Sequence, residues 1–76
     1  PIGAVLVHQG QIVARGHDRR LQRPSTILTA EMDCLEAAGH RTPEFYRDCT
    51  LYTTAAPNAI AVGTIRFCGI PRVVIG

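Results

Sequence analysis

Few side chains in this sequence could do chemistry. The 76 residues hold six acids, three histidines, three cysteines and eight basic residues, every one of them arginine. Glu31 stands early in a helical stretch, where the helix dipole favours an anion and a bound ligand could exchange a proton with the carboxyl. The same dipole makes early-helix glutamate common without any function, so the position alone leaves both readings open. Asp18 ends a strand-like run, and His17 beside it reads as a loop residue that hydrogen-bonds its neighbours. His8, in a turn, and His40, behind a helix, belong far from Glu31. Cys34, Cys49 and Cys68 form no C-x-x-C pair, and an odd count suits a reducing compartment. Cys34 lies one turn beyond Glu31 on an apolar stripe, where a free cysteine packs as a small hydrophobe. Arg15, Arg19, Arg20 and Arg23 cluster, either as a solvated loop or as a contact for a phosphate or acidic ligand.

The elements that must position these residues are legible from periodicity. Residues 2–7 are a continuous apolar run and predict a strand buried on both faces. His8, Gln9 and Gly10 supply a turn, and residues 11–16 return as an antiparallel strand. A polar, arginine-rich loop fills residues 17–24. Over residues 26–38 the period is helical, with Leu28, Met32 and Leu35 on one stripe, Ala30, Cys34 and Ala37 beside it, and Gly39 as cap. A loop holding Pro43 leads to a third strand over 50–54. Asn58 caps a second helix whose inner face carries Ile60, Ala61, Thr64, Ile65 and Cys68, and Gly69 with Pro71 ends it. Residues 72–75 predict a fourth strand. The order β-β-α-β-α-β is an α/β fold whose right-handed crossovers place both helices on one face of the sheet. The first and fourth strands are apolar on both faces, so the opposite face needs a helix from elsewhere or a second subunit.

Length and composition bound the rest. Seventy-six residues make one small domain, 46% hydrophobic and 18% charged, with no low-complexity tract. A domain of this size buries only about 60% of its unfolded surface and is marginal unless supplemented. The longest uncharged run, residues 49–65, is interrupted by Pro57 and Asn58, and no membrane helix or signal peptide is expected. A net charge of +2 is too small for non-specific nucleic-acid binding. The chain opens at Pro1 and stops within a strand-like run, so residues 1–76 read as the central segment of a longer, cytoplasmic domain.

Five motifs recur in one order and spacing: Pro1-Ile2-Gly3-Ala4; Arg15-Gly16-His17-Asp18; Thr29-Ala30-Glu31; Leu51-Tyr52-Thr53-Thr54 followed by Pro57; and the closing run from Gly69 to Gly76. Together they resemble the cytidine-deaminase superfamily, most closely the cytosine deaminases of fungi and bacteria, over essentially the whole chain. The resemblance implies a three-layer α/β/α fold whose central β-β-α-β-α-β part is present. The flanking helices and last strand lie outside the chain. In that family a His-Ala-Glu triplet opens the first central helix and a Pro-Cys-x-x-Cys run opens the second. The histidine and two cysteines hold zinc with a water in the open position. Zinc lowers the pKa of that water, and the glutamate shuttles its proton.

The sequence departs from that pattern at every ligand. Thr29 stands at the histidine position, and Asn58 and Ala61 at the two cysteine positions; Glu31 alone is kept. Thr, Asn and Ala offer none of the imidazole and thiolate that tetrahedral zinc prefers, so no cofactor is expected. Asp18 matches a pyrimidine-binding Asn, and an ionised carboxylate only accepts, so its ligand presents donors or positive charge. The residues before Asn58 are Ala55-Ala56-Pro57, without the small polar residue often found there in cytosine deaminases. The resemblance therefore places Glu31 as the acid/base and Asp18, Thr29, Ala30 and Asn58 around a small nucleobase-like ligand.

The leading expectation is a zinc-free homologue that does not deaminate by the family mechanism and keeps a ligand pocket or a subunit-pairing role. Its partners are a small molecule and either a second copy or segments outside the chain. An enzyme with reassigned, metal-independent chemistry is the alternative. It would use Glu31 as acid/base and two helix N-termini aimed at an anion. A weaker alternative is hydrolytic cytosine deamination by the full-length protein. Nucleic-acid binding through the arginine loop is weaker still, because two tyrosines and two phenylalanines make a sparse stacking platform.

Overall fold

A computed structural model of the chain describes residues 3–18, 25 and 27–76. Pro1, Ile2, Arg19, Arg20, Arg23 and the predicted helix start at Thr26 lie outside the described residues. Four strands form one mixed sheet in the order β2-β1-β3-β4: β1 is Gly3–His8, β2 Gln11–His17, β3 Cys49–Thr53 and β4 Arg72–Ile75. β1 pairs antiparallel with both β2 and β3, and β3 pairs parallel with β4. The β1–β2 hairpin turns through Gln9 and Gly10 at φ 50° and 81°. Two consecutive left-handed residues match the twist of the flanking strands, and glycine adopts that region without steric cost.

Three helices complete the described fold: α1 is Ala30–Ala38, α2 Pro43–Arg47 and α3 Ala59–Cys68. Both predicted helices are present. α1 starts later than its periodicity suggested, because Thr29 adopts an extended cap conformation; Leu28 is buried ahead of the helix all the same. α2 corrects the expectation of a loop around Pro43. Thr42 caps it, its Oγ1 accepting the Phe45 amide proton at 3.1 Å. Proline suits the first helical position, where its missing N–H would have no partner anyway. α2 also delivers Tyr46 to the core, with its hydroxyl donating to the Gly39 carbonyl at 3.0 Å.

The core lies between the sheet and α1 and α3. Ala4 and Leu6 of β1, Ala14 of β2 and Leu51 of β3 meet Ala30, Cys34 and Leu35 of α1 and Ile65 of α3. α1 and α3 touch, so both helices occupy the same face, as the crossover argument requires. Gly16 shows how closely α1 approaches β2. A Cβ there would stand 2.3 Å from the Cys34 nitrogen and 2.5 Å from the Ala30 oxygen, both backbone atoms that cannot move aside. On α3 the expected inner face is only partly right, because Ile60 is 46% exposed while Ala61 and Ile65 are buried. The other sheet face, carrying Val5, Arg15, Tyr52 and Val74, is an open concavity of about 400 Å³. Among the described residues, no helix is long and apolar enough to cross a membrane.

Candidate functional site

Glu31 lies in the first turn of α1, only 3% exposed. Its Oε2 accepts a hydrogen bond of 2.5 Å from the hydroxyl of Thr53. That residue ends β3, where backbone pairing fixes it between Ala4 of β1 and Ile75 of β4. The Gly76 amide further donates to the Thr53 carbonyl at 2.9 Å. A sheet-anchored hydroxyl thus meets a carboxylate carried by the adjacent helix. Sequence reasoning missed Thr53, because residues 22 positions apart have no periodic relation; its place two residues after Leu51 in a β-rich run, on the same strand face, was the available signal.

Asp33 was also missed. It is buried in α1, and its Oδ2 accepts the His17 amide proton at 3.0 Å. This bond ties the end of β2 to α1 immediately before Asp18. A carboxylate interrupting the apolar stripe of a core helix was its sequence signal. Asp18 follows β2 and is half-buried, whereas His17 is exposed. Ala30 is fully buried, with its carbonyl oxygen turned towards Gly16.

Thr29 and Asn58, which the resemblance sets at zinc-ligand positions, each cap a helix. Thr29 Oγ1 accepts the Met32 amide proton at 3.4 Å and caps α1. Asn58 Oδ1 accepts the Ala61 amide proton at 2.9 Å and caps α3. Both are standard uses of a Thr or Asn preceding a helix, where the first amides lack intrahelical partners. Ala61 is a fully buried methyl group. Two capped oxygens and a methyl do not fit a tetrahedral zinc that takes imidazole and thiolate. The caps also occupy one amide at each N-terminus, leaving fewer donors for an anion than two uncapped helix ends would offer.

The cysteines stand apart from this chemistry. Burial pushes the Cys34 thiol up to about 11, and its Sγ donates to the Ala14 carbonyl at 3.6 Å. Burial likewise raises the Cys49 and Cys68 thiols, so none of the three favours the nucleophilic thiolate near neutral pH. The open concavity on the other sheet face is lined by Thr53 but not by Glu31, Asp18, Thr29 or Asn58. The candidate site therefore rests on the Glu31–Thr53 contact and the two helix caps.

Comparison with known proteins identifies the family. The family described as the cytidine and deoxycytidylate deaminase zinc-binding region matches residues 1–76. The chain is 40% identical to a cytosine deaminase of Candida albicans, covering all of this chain and 51% of that protein. It is 38% identical to a tRNA-specific adenosine deaminase of Streptococcus pyogenes, covering all of this chain and 48% of the relative. The crystal structure of a guanine deaminase from Bacillus subtilis superposes with a TM-score of 0.83 at 26% identity, covering all of this chain and 49% of that one. The chain thus spans about half the length of the curated relatives it matches. By sequence over its whole length, and by a fold shared with solved deaminases, the chain belongs to the cytidine and deoxycytidylate deaminase family.

Proposed function

We propose that this chain is a deaminase-family domain that holds no catalytic zinc, does not deaminate through a metal-bound water, and retains a pocket for a nucleobase-like small molecule. The observation that carries this reading is the engagement of Thr29 and Asn58 as helix caps, with Ala61 a buried methyl at the third ligand position. The named relatives act on cytosine, guanine and tRNA adenosine, which supports a heterocyclic amine as the ligand class. Asp18 narrows that class. A carboxylate at this position accepts and does not donate, which favours a ligand edge rich in N–H donors.

The test is metal analysis of the full-length protein beside a variant carrying Thr29→His, Asn58→Cys and Ala61→Cys together. The expected result is negligible zinc in the natural protein and near-stoichiometric zinc in the triple variant. Near-stoichiometric, chelator-removable zinc in the natural protein would sink the proposal. A second reading is favoured by the buried Glu31–Thr53 pair: metal-independent acid/base chemistry on a small nitrogenous substrate. In that case Glu31→Gln abolishes turnover while the protein stays folded.

A further inference from the structure

We propose that Thr53 is the positioning residue of Glu31, holding its carboxyl in one place whether or not it carries a proton; this rests on the reading that Glu31 faces the ligand. Thr53 Oγ1 has one proton to give and two oxygens within reach: Glu31 Oε2 at 2.5 Å and the Ala55 carbonyl at 3.0 Å. When Glu31 is ionised, the hydroxyl donates to it, and 2.5 Å lies in the range of a charge-assisted O–H···O⁻ bond. When Glu31 is protonated, the carboxyl donates to Oγ1 and the hydroxyl proton turns to the Ala55 oxygen. In both states the Glu31 carboxyl and the Thr53 hydroxyl stay paired with each other, while the part-exposed Ala55 carbonyl receives the hydroxyl proton only in the second.

The backbone supports this role. Thr53 is held by strand pairing on both sides, and the Thr54 amide donates to the Gly3 carbonyl at 3.0 Å. Glu31 is anchored in the first turn of the helix that packs most closely on the sheet. A group that takes and returns a proton gains from a partner that is itself fixed, because orientation is then already set when the ligand arrives. An ammonium could only donate, and an amide would have to turn over to exchange its N–H for its oxygen; the hydroxyl offers donor and acceptor at one atom.

The experiment uses the full-length protein labelled with ¹³C at glutamate carboxyls, with Thr53→Val, Thr53→Ser and Glu31→Gln variants. Calorimetry with cytosine, adenine and guanine as separate probes accompanies the spectra. Thr53→Val keeps the shape and removes the hydroxyl. It is expected to move the Glu31 carboxyl resonance at pH 7 and to weaken probe binding about tenfold, the size of one lost charge-assisted bond. Thr53→Ser is expected to restore both. If Thr53→Val lowers only the unfolding temperature, with resonance and affinity unchanged, the hydroxyl serves the Ala55 turn alone and the proposal is overturned. If Glu31→Gln leaves binding of every probe unchanged, or no probe binds, the underlying reading of Glu31 fails. The carboxyl resonance in Thr53→Val then still decides the positioning role by itself.

Discussion

The two helices that carry the candidate residues are held in contrasting ways. α1 lies so close to β2 that only glycine fits at residue 16, and it buries Ala30, Glu31, Asp33, Cys34, Leu35 and Ala38. Asp33 fastens it further to the backbone of His17. α3 buries only Ala61 and Ile65, leaving Ile60, Val62 and Phe67 exposed, the last at 92%. Both helices have complete caps, so the contrast comes from packing and not from helix formation. Glu31 is therefore fixed by the tertiary structure described, while Asn58 is fixed mainly by its own helix.

Substitutions can break or sharpen this contrast. The largest effect is expected at Gly16→Ala, where the added Cβ meets helix backbone; a cost of about 3 kcal/mol or more is expected from forced separation of α1 and β2. Urea unfolding of the full-length protein measures it, and an unchanged midpoint would show that α1 can move away freely.

The next effect is in pH. The folded Cys34 thiol titrates near 11 against an ordinary value of 9.0, so its protonated form is favoured by folding. This contribution is fully present below pH 9 and is lost as pH rises from 9 through 11, by about 3 kcal/mol at most under the linkage relation. Cys34→Ala should flatten that part of the stability profile, as read by denaturation at a series of alkaline pH values.

Cap removal comes third. Asn58→Ala is expected to cost about 1 kcal/mol, and Thr29→Ala less, because its bond is 3.4 Å long against 2.9 Å. Thermal unfolding midpoints of the two variants test the order. Smallest is Gly63→Ala in α3, where a Cβ meets nothing within 4 Å. It should stabilise the protein by about 0.5 kcal/mol, opposite in sign to the same replacement at Gly16.

The outlines of this fold were legible because its local signals agree with one another. Asn58, Gly39 and Gly69 mark helix ends through the hydrogen bonds that end-residues must supply, and the predicted caps are where the structure has them. Pro43 misled because proline punctuates both loops and helix starts, and the capping Thr42 before it decided for the helix. Ile60 misled because helical periodicity names a stripe without saying how wide the opposing surface is. Glu31 was legible through its motif, but its partner was not.

By itself the sequence determined the strands, the two longer helices with the caps Gly39, Asn58 and Gly69, and the family. These depend on residues three or four apart, on alternation, or on motifs in register. Only the tertiary structure decided that Gly16 is the seat of α1, that Asp33 holds the end of β2, and that Thr53 meets Glu31. Each of those contacts joins distant segments, and strand register together with side-chain volume brings them together. No local pattern encodes that proximity.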